Sequence, residues 1–252
     1  MGVSIAFTED RFLGGQVILR QPVAGFRSGL DAVMLAAAVP AKPGERALEL
    51  GAGAGAASLC VAARVPDCDI TGVELDTALV TLANSNAAAN HMTGRVHFAQ
   101  SDALDPPRAL RGSFDHVFCN PPFHEGERSP DGARALALQD DGKLGDWLRA
   151  AMKRTASKGT LTIILRADRL GDALNALPHR GTSVLPLWPR RGEAAKRVIV
   201  QVRKSARTPL MFLHGFALHE EDGRYTPEAD AILRGVKGIE MQPSRKTPAT
   251  AS

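Results

Sequence analysis

In the tetrapeptide Asn120-Pro121-Pro122-Phe123, residue type and order point directly to chemistry. Two successive prolines fix φ and remove two backbone donors, and the first pushes Asn120 toward an extended conformation. The resulting stiff turn presents an amide oxygen from Asn120, a backbone carbonyl from Pro121 and the aromatic face of Phe123. Those groups suit a planar exocyclic amine, whose delocalised lone pair makes it a poor nucleophile. Two acceptors gripping its two N–H groups orient the nitrogen and favour pyramidalisation, while the ring stacks on the base that carries it. The proton can leave after the new bond forms, so no strong general base is needed. Catalysis is then chiefly positioning, for which about 7 to 11 kcal/mol is available in principle.

A second cluster suggests what such a nitrogen would attack. Gly51-Ala52-Gly53-Ala54-Gly55 follows the strand-like run Arg46–Leu50 and precedes a helix-compatible stretch, Ala56–Arg64. Glycines in that turn let a ligand approach the backbone at a helix N-terminus. Glu74 ends the next strand-like run, 74 − 51 or 23 residues beyond Gly51, where an acid can accept hydrogen bonds from a ribose diol. The turn alone does not separate a dinucleotide from S-adenosylmethionine, since both carry an adenosine, and Gly51-x-Gly53-x-x-Ala56 also satisfies a loose dinucleotide pattern. Glu49 tips the reading: a carboxylate two residues before the first glycine repels a pyrophosphate but suits an ammonium and a sulfonium. Asp102, just after the third strand of this series, is placed to bond an adenine amino group.

Positioning these groups requires a sheet. Strand-like runs at 46–50, 69–75, 96–100, 114–119, 160–165, 183–187 and 197–202 are interleaved with helix-compatible stretches at 56–64, 77–90 and 144–156. The alternation predicts an α/β fold, a Rossmann-like seven-stranded mostly parallel sheet with helices on both faces. Ahead of it, Gln16–Arg20 reads as a strand, and Ser28-Gly29-Leu30-Asp31 opens an alanine-rich helix that ends before Pro40, with the S-x-x-D spacing of a capping box. We expect one domain over 1–242, made of an N-terminal extension 1–42, a core 43–207 and a substrate-side segment 208–242, followed by a disordered tail 243–252. The charged, glycine-containing segment His124–Lys143 is expected to be a lid that orders with substrate.

Composition excludes several classes. At 252 residues, 44% apolar and 23% charged, the chain is neither disordered, collagenous nor a disulfide scaffold. Cys60, Cys68 and Cys119 form no C-x-x-C pair and point to a reducing compartment. The seven histidines form no metal-ligand spacing, so no metal is expected; His97 and His116 sit in strand-like runs as ordinary packed or surface residues. The first ten residues lack the basic start of a signal peptide, and the longest apolar stretch, Ala32–Val39, is too short to span a bilayer, so a cytoplasmic protein is expected. Net charge is +4, and between Trp188 and Arg207 lie Arg190, Arg191, Lys196, Arg197, Arg203, Lys204 and Arg207 against one acid, Glu193. A run of that kind is either a solvated face or a phosphate-binding patch.

In order and spacing, ELGAGAG, GVELD, SDALD and FCNPPF resemble the class I S-adenosylmethionine-dependent methyltransferases of the NPPY/F type. Gly25-Phe26-Arg27-Ser28-Gly29-Leu30-Asp31 and the segment that follows narrow the resemblance to the bacterial tRNA adenine N6-methyltransferases, which act beside the anticodon of a valine tRNA. The similarity covers roughly residues 8 to 235, the late segment Tyr225-Thr226-Pro227-Glu228-Ala229 included. It implies S-adenosylmethionine as cofactor, with Glu49, Gly51 and Gly53 at its methionine part, Glu74 at the ribose, Asp102 at the adenine and Asp31 a lesser pocket candidate. It further implies Asn120, Pro121, Pro122 and Phe123 at the target amine, with Phe123 replacing the commoner tyrosine, and tRNA as partner. The basic residues Arg190, Arg191, Lys196 and Arg197 are the expected RNA contacts. Two alternatives stay open: methylation of a protein glutamine amide, which meets the same acceptors, and a non-catalytic RNA-binding protein that keeps the fold. A nicotinamide oxidoreductase ranks below both. Monomer or homodimer is left undecided.

Overall fold

The computed structural model describes residues 7–24, 27–105, 110, 113–121 and 144–242. Pro122, Phe123, the expected lid 124–143 and the expected tail 243–252 lie outside the described residues.

An antiparallel hairpin, β1 (Phe7–Phe12) with β2 (Val17–Pro22), comes first, and α1 (Leu30–Ala38) follows it. The core then runs β3 (Arg46–Leu50), α2 (Ala56–Arg64), β4 (Asp69–Glu74), α3 (Thr77–Ala89), β5 (Val96–Gln100) and β6 (Phe114–Cys119). It continues through α4 (Leu144–Arg154), β7 (Thr155–Arg166), α5 (Leu170–Ala176), β8 (Thr182–Trp188) and β9 (Arg197–Arg203). Two two-residue strands, β10 (Met211–Phe212) and β11 (Phe216–Ala217), and a last helix, α6 (Pro227–Leu233), complete it.

The main sheet has the order β10-β8-β9-β7-β6-β3-β4-β5, with β11 also paired to β8. Only β9 runs against its neighbours, β7 and β8; the other pairs are parallel. The seven expected strands are present, and β10 and β11 extend the β8 edge to nine. β3 is buried on both faces, with Ala47 facing one apolar layer and Leu48 and Leu50 the other. α1, α2, α3 and α6 cover the first layer, and α4 and α5 the second. This two-sided burial is what a parallel sheet requires.

From β3 the chain passes through α2 to β4 on one side, and β6 later lies on the other. The gap beyond the carboxyl ends of β3 and β6 is therefore the topological switch point, where open α/β sheets bind ligands.

Two expectations need correction. The Ser28/Asp31 capping box does not form: Gly29 stands at the N-cap with no side-chain cap, and the Ser28 N–H donates to Gln21 Oε1 at 2.7 Å. Asp31 instead pairs with Arg197 across 166 residues. The helix near 144 ends at Arg154, because β7 starts at Thr155 and shifts register by a bulge between Phe114 and His116.

The hairpin docks through side-chain amides in place of a further strand. Asn90 Oδ1 accepts the Ile18 N–H at 2.9 Å and its Nδ2 donates to Ile18 O at 2.7 Å. Asn86, fully buried, accepts the Arg20 N–H and donates to Arg20 O, both at 2.9 Å. Its Nδ2 also donates to Ala54 O at 2.9 Å, tying hairpin and α3 to the glycine turn.

Candidate functional site

Strand register assembles the site. Leu50 pairs with Val73 on one side and Cys119 on the other, and Glu74 pairs with Gln100. Gly51, Glu74 and Asn120 therefore leave the sheet at one edge, level with one another.

The glycine turn holds Gly51, Gly53 and Gly55 at φ +70°, +55° and +90°. Val73 O accepts from both Gly51 N and Ala52 N at 2.9 Å, and Gly55 N donates to Ala52 O at 2.8 Å. Glu74 Oε2 accepts the Gly53 N–H at 2.9 Å, while Oε1 accepts from Leu75 N at 2.8 Å and Asp76 N at 3.1 Å. Glu74 thus clamps the turn to the end of β4; Oε1 is filled by two donors, and Oε2 keeps acceptor capacity for one ribose hydroxyl. A Cβ on Gly53 would have nothing within 4 Å, so the backbone there faces open space.

Glu49 is buried behind the turn, 4% exposed. Its Oε2 accepts the Ser58 backbone N–H at 3.0 Å and the Ser58 hydroxyl at 2.5 Å, so it closes the first turn of α2. Burial nonetheless pushes its carboxyl up to about 8, against the opposing pull of the Ser58 bonds, and the Glu74 charge adds to the rise. Burial, with Glu49 close by, also holds the Cys60 thiol up to about 12 and raises Cys119.

Asn120 is half-buried at the end of β6, and Pro121 is buried. The Asn120 Oδ1 is shielded from solvent and has no hydrogen-bond partner among the described residues. A buried carbonyl oxygen left so costs about 1 to 3 kcal/mol, and an N–H donor placed before it recovers that cost. Asp102 is exposed after β5, its Oδ1 accepting the Leu104 N–H at 2.8 Å. A cleft of about 460 Å³ opens between Leu104, Asp105 and the α4 face bearing Asp146, Arg149 and Lys153. Gly53, Glu74 and Asn120 do not line that cleft.

Other expected site residues fall at the same edge in different roles. The Asp31 carboxylate is turned onto Arg197, with Nε at 2.8 Å, so each is engaged by the other. Arg190, Arg191 and Lys196 are exposed on the 189–196 connection; Arg190 reaches Glu193 at 3.2 Å. Because β8 runs with β7, that connection lies at the carboxyl edge. Two residues escaped the sequence reading. The Trp147 ring on α4 stands 2.9 Å from where a Gly51 Cβ would be, walling the turn, and Leu75 is 57% exposed between Glu74 and Asp76. An apolar residue between two acids at a strand end was the available signal for Leu75. Nothing local marked Trp147.

A family model described as methyltransferase small domain matches residues 28–168, more than half of the chain. The chain belongs to the methyltransferase small domain family. It is an S-adenosylmethionine-dependent N-methyltransferase. A Shewanella putrefaciens protein named tRNA1(Val) (adenine(37)-N6)-methyltransferase is 31% identical, over 80% of this chain and 88% of its own length. A Porphyromonas gingivalis protein of the same name is 29% identical, over 82% of this chain and 87% of its own. A crystal structure from Agrobacterium tumefaciens, described as a predicted O-methyltransferase, superimposes with TM-score 0.70 at 28% identity, over 83% of this chain and 98% of that one.

The residues of this methyltransferase fit the donor. Open backbone at Gly53, a hydroxyl acceptor at Glu74 and, among the described residues, an unpartnered acceptor at Asn120 converge on one edge, and Glu49 can supply negative charge behind the turn. Among the described residues, no cluster of His, Cys, Asp or Glu is arranged to hold a metal ion, and no helix is long and apolar enough to cross a membrane.

Proposed function

We propose that the protein methylates the exocyclic N6 of an adenine in tRNA, beside the anticodon. The observation that carries this reading is the Asn120 Oδ1, buried without a donor among the described residues at the switch point of the sheet. An amino group of adenine is a donor of the right kind for it. The second acceptor is the Pro121 carbonyl, and Phe123 supplies the stacking face. Bound S-adenosylmethionine supplies an electrophilic methyl carbon. The nitrogen would take that methyl group, the cofactor would leave as S-adenosylhomocysteine, and the amine proton would pass to solvent. Glu49 and Glu74 bind and orient; Asn120 holds the nitrogen on line. The similarity to proteins named as tRNA adenine-N6-methyltransferases supports an RNA adenine as target. The exposed Arg190, Arg191 and Lys196 at the same edge favour RNA over a protein glutamine.

The test incubates the protein and radiolabelled S-adenosylmethionine with RNA or with protein from a strain lacking it, then digests the labelled fraction. Label recovered as N6-methyladenosine from tRNA is expected. Label in glutamine, or in neither fraction, refutes the proposal.

A further inference from the structure

Beyond the target pocket, the structure carries a second aromatic feature beside the basic connection. Tyr225, the chain's single tyrosine, is 44% exposed, and its ring stacks on His219 with centroids 4.8 Å apart and planes 26° apart. The two residues pair across an antiparallel bridge, closed by Glu220 N to Arg224 O at 2.8 Å and Thr226 N to Leu218 O at 3.0 Å. Leu218 N and His219 N donate to Trp188 O and Pro189 O, at 2.8 and 2.9 Å, so the bridge prolongs the end of β8. Pro189 leads directly into Arg190 and Arg191, both exposed. The hairpin tip carries Glu220, Glu221 and Asp222, of which Asp222 is paired with Arg224, while His219 at its base is bonded to Pro189, next to Arg190.

We propose that Tyr225, backed by His219, is a stacking platform for a second, unpaired RNA base, whose neighbouring phosphates lie on Arg190 and Arg191. This inference rests on the tRNA reading above and assigns a contact to the substrate flank. Each base has a π-face, and a ring already held flat by a second ring loses little freedom on stacking. The register places the end of β8 three strands from β6 and three residues beyond the level of Asn120, and the His219–Tyr225 bridge continues β11 on the far side of β8 from β9. With usual strand spacings the bridge is roughly 25 Å from Asn120, so one folded RNA can reach both points.

The test measures binding of unfractionated tRNA by fluorescence anisotropy at several salt concentrations, for wild type, Tyr225→Ala, Tyr225→Phe and Arg190→Ala/Arg191→Ala. S-adenosylhomocysteine affinity serves as the check of fold. Tyr225→Ala is expected to weaken tRNA binding about five- to a hundredfold with the salt slope unchanged, and Tyr225→Phe to restore it. The double arginine variant should instead lower the slope by between about one and two. Affinity of Tyr225→Ala within twofold of wild type overturns the platform, as does a slope that falls with affinity or a phenylalanine that fails to rescue. If wild type transfers no methyl group to RNA, the functional reading fails; if it does so and ignores Tyr225, only the platform fails.

Discussion

Glu49 provides the sharpest test of the site's electrostatics, because its structural surroundings and its proposed ligand make opposite demands on its charge. Burial pushes its carboxyl from 4.5 to about 8, even though Ser58 donates two hydrogen bonds to it. Between those pH values the folded protein binds more protons there than the unfolded chain, so stability falls as pH rises through this window. A displacement of 8 − 4.5, or 3.5, corresponds to about 5 kcal/mol, fully felt above pH 8. The cationic end of S-adenosylmethionine favours the ionised form. At pH 6 only about one site in a hundred is ionised, and at pH 8 about half, so affinity should rise about fiftyfold over that range, with about one proton released on binding at pH 6 and about half of one at pH 8.

Isothermal titration in two buffers of different ionisation enthalpy measures both quantities. The ligand's own amino group titrates near pH 7.7 to 8.0, equally with either protein, so Glu49→Gln isolates the protein's contribution. The variant should bind with a flatter pH profile, release no proton, and lose the decline in urea stability between pH 6 and 8. Affinity of wild type that is flat from pH 6 to 8, or a Glu49→Gln profile identical to it, refutes the assignment of Glu49 to the cofactor's cation.

Asn120→Ala should leave cofactor affinity within about threefold and lower single-turnover methyl transfer at least about a hundredfold, since it removes an acceptor that matters only once the amine is positioned. Gly72→Ala and Gly53→Ala should separate packing from ligand approach. A Cβ on Gly72 meets the Phe98 ring at 2.4 Å and should destabilise by about 1 to 3 kcal/mol in urea melts, whereas Gly53→Ala should cost about 1 kcal/mol for its left-handed φ and weaken cofactor binding disproportionately. Asn86→Ala strips partners from Arg20 and Ala54 and should cost about 3 kcal/mol, with the Arg20 amide losing protection in hydrogen exchange.

The central strands and first core helix were legible because each pairs a run of apolar residues with unmistakable punctuation. β3, α2, β5 and β6 have the bounds that the sequence suggests. β1 was not legible: FTEDRF carries three charges, and its only partner is β2. The seven-residue α5 and α6 offer too few turns for a periodic pattern. Asp31 shows the limit of local reasoning. Its spacing from Ser28 satisfies a capping pattern, yet a cation 166 residues away takes the carboxylate. Asn86 and Asn90 held a signal that went unused: an asparagine inside a helix, as Asn86 is, is locally unfavourable and needs a tertiary reason, and Asn90 follows four residues on at the C-cap. The reason is the backbone edge of β2.

The glycines divide by cause, and the division bears on how the site is built. From sequence, every glycine near the turn can be credited to the ligand. In the structure, Gly55 and Gly72 are needed by Phe98, whose ring lies 2.7 and 2.4 Å from where their Cβ atoms would be, and Gly51 is needed by Trp147. Only Gly53 is left with open space above a left-handed backbone. Its N–H is already held by Glu74, the acid that also gathers the amides of Leu75 and Asp76. The turn is therefore shaped before any ligand arrives, by aromatic rings packed against bare backbone on both sides of the sheet. Pre-shaping lowers the ordering cost of binding. It also accounts for the glycines of the stretch: side chains at Gly51 and Gly55 would strike the rings, and one at Gly53 would close the opening that the backbone leaves.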